Sequence, residues 1–217
     1  MKVVILLSGG MDSTSLLYYA YNKHEVVAAL SFDYGSKHND RELPFAKYHC
    51  EKLSIPHTTI PLGFISDYFS SDLLKSGGEI PEGHYEDENM VKTVVPFRNG
   101  IMLSVATGFA ESVEAEAVGI AAHAGDHTIY PDCRTDFMAA FSESMKAGTY
   151  AKIELMKPFL DIRKEDIVKV GLDHGVDFSQ TWSCYKGGDK HCGKCGTCVE
   201  RIEAFELAGI EDPTDYL

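Results

Sequence analysis

The sequence is poor in basic residues and has no long apolar run. Its 20 Lys and Arg stand against 33 Asp and Glu, a formal charge of −13 at pH 7. Because nucleic-acid affinity comes largely from Lys and Arg that neutralise phosphates, this balance disfavours a nucleic-acid partner and favours a small substrate in a pocket. No apolar stretch reaches the roughly 18 residues of a membrane span, and the first apolar run is too short for a signal peptide. We therefore expect a cytoplasmic protein with no membrane partner.

Two common phosphate-binding motifs, G-x-x-x-x-G-K-S/T and G-x-G-x-x-G, are also missing. Instead, the apolar run at residues 3–7 meets SGGMDST at residues 8–14, and helix-compatible spacing follows. Glycines permit close approach of the backbone, and a helix start offers unpaired N–H groups and partial positive charge. The turn therefore predicts a phosphate-binding loop, although a simple capped turn remains an alternative. The residues assigned to nucleotide binding here are Leu7, Ser8, Gly9, Gly10, Met11, Asp12, Ser13 and Thr14.

Apolar runs and helix-length segments alternate along the chain. Strands are predicted at residues 3–7, 26–32, 58–62, 116–122 and 153–159, and helices over 40–53, 100–111, 134–147 and 164–174, with Asn99 capping the second of these helices. Strands joined by helices predict right-handed crossovers. The fold class is therefore α/β, with a doubly wound, mostly parallel five-stranded sheet. Ligands are expected at the carboxyl ends of strands one, two and four.

The chain divides into a predicted α/β domain at residues 1–180 and a small C-terminal segment at 181–217. Within the domain, residues 63–92 break the alternation and read as an irregular insertion. This insertion is either a surface excursion or a lid over the ligand.

Four of the six cysteines lie in the C-terminal segment with the spacing C-x7-C-x2-C-x2-C. Four thiolates at this spacing can close around one ion, and tetrahedral zinc is the first expectation. An iron–sulfur cluster is the rival interpretation, although the C-x3-C-P ending of ferredoxins is absent. A disulfide or inert cysteines are further alternatives. The predicted metal ligands are Cys184, Cys192, Cys195 and Cys198.

Several polar residues follow predicted strands, where ligands are expected. Asp12 would repel a phosphate unless Mg²⁺ lies between them, so we assign it to Mg²⁺, with helix capping as the alternative. Asp33 ends strand two, where a ribose-binding acid or an ordinary turn acid fits. Arg98 can counter charge on an α-phosphate or lie on the surface. Asp132 and Arg134 can read the hydrogen-bonding edge of a heterocycle.

These motifs occur in one order along nearly the whole chain: SGGMDST at 8–14, DYGSKH at 33–38, VPFRN at 95–99, YPDCR at 130–134, and the cysteines followed by Arg201. In this order they closely resemble the 7-cyano-7-deazaguanine synthases, which are N-type ATP pyrophosphatases with a PP-loop. The family more often has Gln-Arg where Ser36-Lys37 stands, and Gly where Phe97 stands. These departures affect the expected substrate contacts rather than the reaction.

The resemblance implies an ATP-dependent carbon–nitrogen ligase of queuosine and deazapurine biosynthesis. Such an enzyme converts 7-carboxy-7-deazaguanine and ammonia to 7-cyano-7-deazaguanine through an adenylated acid and an adenylated amide. The resemblance implies a homodimer with structural zinc bound by the four cysteines. In the site it implies that Asp12 binds Mg²⁺ and that Arg98 counters the charge of the phosphates. Asp132 and Arg134 are then expected to contact the deazaguanine. No residue stands out as the base that deprotonates ammonium.

Two other functions share part of this pattern. A tRNA-modifying enzyme, either a thiolase or a lysidine-type synthetase, uses the same loop but calls for a basic RNA surface or an iron–sulfur centre. A zinc-stabilised nucleotide-binding module without turnover is the non-enzymatic alternative, because a fold alone does not guarantee catalysis.

Overall fold

A computed structural model describes residues 1–85 and 87–217; Glu86, within the predicted insertion, lies outside the described residues. Five parallel strands form one sheet in the order β3-β2-β1-β4-β5. The strands are β1 (Lys2–Leu6), β2 (Glu25–Asp33), β3 (His57–Pro61), β4 (Ala117–Gly119) and β5 (Glu154–Met156). The predicted doubly wound α/β sheet is confirmed, and its strand order reverses between β1 and β4.

Seven α-helices accompany the sheet among the described residues. They are α1 (Met11–Lys23), α2 (Asn39–Leu53), α3 (Gly63–Tyr68), α4 (Arg98–Ser112), α5 (Thr135–Gly148), α6 (Lys164–Asp173) and α7 (Gly196–Ala208). In that part of the chain, no helix combines the length and apolar character needed to cross a bilayer. The helix predicted over 164–174 ends as expected, with Gly175 in the left-handed region at φ 87°.

The central strand β1 supplies both halves of the core because its side chains alternate across the sheet. Val3 and Ile5 pack with residues of α1, α6 and α7, whereas Val4 and Leu6 pack with residues of α4 and α5. Val3, Val4 and Ile5 are completely buried. The unbroken apolar run in the sequence therefore reflects burial on both faces, which is typical of a parallel sheet.

The last two strands are shorter than the predicted 116–122 and 153–159. β4 ends at Gly119, where an added Cβ would lie 2.7 Å from the Ile5 side chain and 2.9 Å from that of Met156. Beyond this point the chain leaves the sheet, and residues 120–122 line a cleft. Apolar residues that predicted a longer strand therefore form the wall of a cavity.

The prediction that Asn99 caps a helix beginning at Gly100 was wrong. Helix α4 begins at Arg98, and the preceding Phe97 has a left-handed backbone with φ 54°. The cap comes from another part of the chain, because Asp132 Oδ2 accepts a hydrogen bond from the Asn99 backbone N–H at 2.8 Å. A local sequence pattern carries no information about such a distant acceptor.

The segment 63–92 is packed onto the domain where the structure describes it. It contains α3 and a 3₁₀ helix at Glu88–Thr93, and Leu73 and Leu74 are completely buried. Lys37 fastens its middle part, since the ammonium group donates to the carbonyls of Asp72, Leu74 and Gly78 at 2.5–2.8 Å. These contacts hold 72–78 against the end of β2.

The C-terminal segment 181–217 contacts both the insertion and the first loop. The backbone N–H of Trp182 donates to the Gly9 carbonyl at 3.0 Å, and Glu82 forms a β-bridge with Cys195. Helix α7, which we did not predict, carries the buried Arg201. Its guanidinium group binds Asp212 and the Thr181 hydroxyl, which secures both flanks of the segment.

Candidate active site

A deep cleft opens at the carboxyl ends of β1, β2 and β4, where ligands were expected. Its empty space, the open solvent at its mouth included, is about 1190 Å³. Its walls come from the loop after β1, the starts of α2, α4 and α6, and residues 182–185. Of the predicted nucleotide-binding residues, the cleft is lined by Leu7, Ser8, Gly10, Met11, Asp12 and Ser13.

The loop after β1 is held in a shape that only glycine permits. Gly9 has φ 97°, and a Cβ there would lie 2.2 Å from the Glu42 carbonyl oxygen. Ser8 Oγ accepts a hydrogen bond from the Gly10 N–H at 3.1 Å, and Ser13 Oγ lies 3.1 Å from Ser8 Oγ. Thr14, which does not line the cleft, is completely buried behind the loop. The start of α1 therefore faces the cleft, as an anion site requires.

Asp12 stands between this loop and a buried lysine. Its Oδ2 lies 3.1 Å from Lys164 Nζ and 3.9 Å from His123 Nε2. Burial alone would lower the pKa of Lys164, but Asp12 and Glu200 outweigh burial and raise that pKa well above its usual range. Asp12 Oδ1 is buried and has no hydrogen-bond partner among the described residues. An unpartnered carboxylate oxygen is a ligand suited to a hard divalent cation.

Arg98 lies half-buried beside an aromatic wall. Its Nη1 donates to the Tyr34 hydroxyl at 3.1 Å, and the guanidinium carbon is 5.6 Å from the centre of that ring. Tyr85, Tyr130 and Tyr185 continue the wall, and the hydroxyls of the last two are 3.4 Å apart. Burial raises the pKa values of Tyr34, Tyr85 and Tyr185, so they remain neutral phenols. Neutral aromatic rings next to one cation suit a planar, anionic ligand.

A histidine and a glutamate one helical turn apart complete the cleft. His38 Nε2 lies 3.5 Å from Glu42 Oε2, and the His38 ring stacks on Tyr185 with centroids 5.1 Å apart. Burial lowers the pKa of His38 to about 3 and raises that of Glu42 to about 8. Both groups are therefore biased towards their neutral forms.

Besides Gly9 and Thr14 of the loop, three predicted site residues lie outside the lining of the cleft. Asp33 Oδ1 accepts hydrogen bonds from Asn39 Nδ2 at 2.9 Å and from the Gly35 N–H at 3.2 Å. Asp132 holds the start of α4. Arg134 is exposed, and its Nε donates to the His127 carbonyl at 2.9 Å.

Conversely, the sequence interpretation missed several residues that line the cleft. The charged ones are Glu42, Asp126 and Lys164. Lys164 starts a helix after the last strand, and that position at the ligand edge of a parallel sheet was an available signal. Glu42 lies in the second helix, where an amphipathic pattern explains a charged residue equally well.

The four cysteines form a buried candidate metal centre. Their sulfur atoms all lie within 4.8 Å of one another, with 4.0 Å between Cys192 and Cys198 and between Cys184 and Cys195. Backbone N–H groups of Cys192, Lys194 and Cys195 donate to sulfurs at 3.3–3.4 Å. The cluster can hold a metal, as the spacing predicted.

The strand order, the SGGMDST loop at the end of the central strand and the cleft beside it define an α/β protein with a PP-loop fold. A solved structure described as NMN synthetase from Francisella tularensis has 16% sequence identity and a TM-score of 0.54, and the match covers 96% of this chain and 77% of that chain. At this identity the likeness shows the fold alone.

The sequence model of the family described as "Queuosine biosynthesis protein QueC" matches residues 2–209, and the chain belongs to this family. A 7-cyano-7-deazaguanine synthase of Porphyromonas gingivalis is 56% identical over 213 residues, which cover 98% of this chain and 96% of that protein. A 7-cyano-7-deazaguanine synthase of Caldicellulosiruptor saccharolyticus is 52% identical over 216 residues, which cover 100% and 96% of the two chains.

Proposed function

We propose that this chain is an ATP-dependent carbon–nitrogen ligase that converts 7-carboxy-7-deazaguanine and ammonia to 7-cyano-7-deazaguanine. The observation that carries the proposal is one cleft that combines the SGGMDST loop, Arg98 and a wall of tyrosines, in a chain whose relatives are named for this synthase. Neither a tRNA-modifying enzyme nor a module without turnover is named among these relatives.

The reaction needs ATP because a carboxylate is a poor electrophile. A carboxylate oxygen attacks the α-phosphorus, the bond to pyrophosphate breaks, and an acyl-adenylate forms. Ammonia then displaces AMP and gives the amide. The amide oxygen attacks a second ATP in the same way and leaves with AMP, while two protons are lost from nitrogen. Since the acid has two oxygens to remove and the nitrile has none, each nitrile consumes two ATP.

The residues of the cleft match these steps mainly by positioning and charge. The loop and the first turn of α1 bind the pyrophosphate of ATP, while Arg98 faces the α-phosphate and the substrate carboxylate. The tyrosine wall stacks against the deazaguanine. The lysine of G-x-x-x-x-G-K-S/T, which would polarise a γ-phosphate, is not needed for attack at the α-phosphorus.

Three residues from the sequence interpretation keep predicted roles. Asp33 is proposed for the ribose. Asp132 and Arg134 are proposed for the deazaguanine, and Asp132 also supports the helix that begins with Arg98. Contact of Arg134 with the ligand requires movement of its exposed side chain, because it now binds the His127 carbonyl.

Mg²⁺ is proposed to accompany ATP, with Asp12 as its protein ligand. The fit rests on Asp12 Oδ1, an oxygen of a cleft-lining residue, which is buried and has no hydrogen-bond partner in the described part of the chain. When bound, Mg²⁺ neutralises charge on the polyphosphate. Lys164 holds the other oxygen of Asp12 and fixes the orientation of its carboxylate.

Zinc is proposed for Cys184, Cys192, Cys195 and Cys198. Four bonds of about 2.3 Å in a tetrahedron place the sulfurs about 3.8 Å apart, close to the observed 4.0 Å. A cluster of several iron atoms would push the sulfurs farther apart. We expect one zinc per chain by elemental analysis, whereas a brown protein with iron would contradict this assignment.

A turnover experiment tests the proposed function. Purified protein is incubated with ATP, Mg²⁺, ammonium and 7-carboxy-7-deazaguanine, and AMP, pyrophosphate and nitrile are followed by mass spectrometry. We expect two AMP per nitrile. Asp12→Asn should abolish most turnover, and the matched control is Asp136→Asn, since Asp136 is likewise the second residue of a helix but lies outside the cleft. Absence of AMP from metal-loaded protein would contradict adenylation.

A homodimer and a cytoplasmic location complete the proposal. The dimer is supported by the family resemblance and by aromatic side chains near the surface: Phe97 is 56% exposed and packs edge-on against Phe137, whose ring contacts Phe141. Light scattering coupled to size-exclusion chromatography should give twice the chain mass. The reduced cysteine cluster supports a reducing compartment.

A further inference from the structure

One carboxylate in the cleft is not engaged by a lysine, an arginine or a hydrogen bond. Among the described residues, the cleft-lining carboxylates are Asp12, Glu42 and Asp126. Asp12 is paired with Lys164, and Asp126 accepts hydrogen bonds from the Tyr85 hydroxyl at 3.0 Å and the His123 backbone N–H at 3.2 Å. The Glu42 carboxylate lies 3.5 Å from the His38 ring and has no ion pair with a lysine or arginine and no side-chain hydrogen bond among the described residues. It is therefore available to exchange a proton with a ligand.

His38 fixes the position of this carboxylate. Its side chain is 3% exposed, its ring is stacked on Tyr185, and its Nδ1 has no partner among the described residues. A buried ring nitrogen without a partner indicates that a polar ligand completes this site. The His38 ring and the Glu42 carboxyl group thus form a polar pair on one face of α2, open to the cleft.

The pair adjoins the loop to which the proposed function assigns the pyrophosphate of ATP. Glu42 Oε1 is 3.5 Å from the point where a Cβ on Gly10 would stand, so it adjoins the phosphate loop. Arg98 lines the same cleft, and its charge offsets part of the rise in the pKa of Glu42 that burial causes. Glu42 therefore adjoins the loop proposed to bind pyrophosphate and shares the cleft with the arginine proposed for the α-phosphate.

The proposed reaction demands a base at this place. Ammonia is mostly ammonium at neutral pH, and ammonium has no lone pair with which to attack an acyl-adenylate. A carboxylate within reach can remove a proton from ammonium as the ion enters a cleft from which water is partly excluded.

We propose, on the basis of the proposed function, that Glu42 is the general base for ammonium and that His38 is a positioning residue that orients it. The Glu42 carboxylate takes one proton from ammonium, and the resulting ammonia attacks the carbonyl carbon of the adenylated acid. The C–N bond forms and the bond to AMP breaks, and the nitrogen gives its second proton to the departing AMP phosphate. The first proton stays on Glu42 until it is released to solvent. Burial raises the pKa of this carboxyl group to about 8, so the ionised form that accepts the proton increases as pH rises towards 8 and is a stronger base than an exposed carboxylate.

The test separates adenylation from use of ammonia by means of Glu42→Gln. Exchange of labelled pyrophosphate into ATP, dependent on 7-carboxy-7-deazaguanine and measured without ammonium, reports adenylation alone. Formation of amide and nitrile from ammonium reports the proposed base. Formation of a hydroxamate from hydroxylamine, which is largely unprotonated at neutral pH, reports capture of the adenylate without a base. Glu51→Gln is the control, since Glu51 is an exposed glutamate on the same helix that pairs with Lys47.

We expect Glu42→Gln to lose about 100-fold or more in ammonium-dependent rate at neutral pH, with exchange and hydroxamate formation close to those of the unmodified chain. The ammonium defect should shrink as pH rises and free ammonia becomes abundant. His38→Gln should shift the pH profile of the ammonium reaction. If Glu42→Gln retains the ammonium rate, or if it loses hydroxamate formation to the same extent, Glu42 is not the base. Lack of exchange and of nitrile in the unmodified chain would instead refute the proposed function.

Discussion

The buried acid Glu42 makes the stability of the fold depend on pH, independently of any role in catalysis. Its side chain is 14% exposed, lies behind the phosphate loop and has no lysine or arginine bound to it in the described part of the chain. Burial raises its pKa from 4.5 to about 8, and nearby Arg98 offsets only part of this effect. Glu42→Gln replaces the acid with a neutral group of the same shape.

The sign follows from proton binding in the two states. Between about pH 4.5 and about pH 8 the folded chain retains a proton on Glu42 that the unfolded chain has released, so the free energy of unfolding falls as pH rises through this window. At about 1.36 kcal/mol per pKa unit the full effect has an upper limit of about 5 kcal/mol. Because the side chain still reaches solvent, we expect about 2–3 kcal/mol.

Urea unfolding at about pH 5 and about pH 8.5, followed by circular dichroism, measures this difference. The Gln variant should match the unmodified chain at the lower pH and exceed it by about 2–3 kcal/mol at the higher pH. The control variant Glu51→Gln should show no such change, since Glu51 is 68% exposed. A Gln variant that gains the same stability at both pH values, or loses stability at the higher one, would refute the assignment of a buried, uncompensated acid.

Three further predictions concern other parts of the fold. Cys195→Ser should lose the bound metal and lower the melting temperature, whereas Cys50→Ser, in the core away from the cluster, should retain the metal by elemental analysis. Phe97→Gly should be about 1 kcal/mol more stable than Phe97→Ala in urea unfolding, because both lose the ring and only glycine relieves φ 54°; equal stability would argue against backbone strain. Lys37→Met should destabilise the chain by about 1–3 kcal/mol, because it removes the ammonium group that donates to three carbonyls of the segment 72–78. Backbone hydrogen exchange at 72–78 should then become faster. Unchanged exchange would show that the ammonium group does not hold this segment.

The sequence was sufficient for features determined within a few residues. The loop at 8–14 combines strand, glycine turn and helix start in one stretch, and its position in the cleft followed from the parallel sheet. The cysteine spacing predicted a cluster for the same reason. By contrast, the cap of α4 comes from Asp132, which lies 33 residues from Asn99, and no local pattern contains that information.

The charged residues of the cleft show why the rest of the site was out of reach. Lys164 meets Asp12 only because β5 lies next to β4 and the start of α6 is thereby carried to the ligand edge. Glu42 faces the loop because Gly9 permits α2 to approach within contact distance. In sequence Glu42 looks like an ordinary solvated charge on an amphipathic helix, and only the packing of α2 shows that it is buried. Lys164 follows the last strand at the ligand edge of the sheet, which was a usable signal for its place in the cleft but not for its partner Asp12.

The cysteine segment is part of the active site rather than an appendage to it. Trp182 binds the carbonyl of Gly9, which fixes the phosphate loop from behind. Helix α7 begins within the cysteine cluster, and its Glu200 binds Lys164 at 2.5 Å, the same lysine that orients Asp12. A metal that fixes the start of α7 therefore stabilises Glu200, and through it the lysine and the proposed Mg²⁺ ligand. Loss of the metal should consequently weaken ATP binding even though the cysteines touch no phosphate.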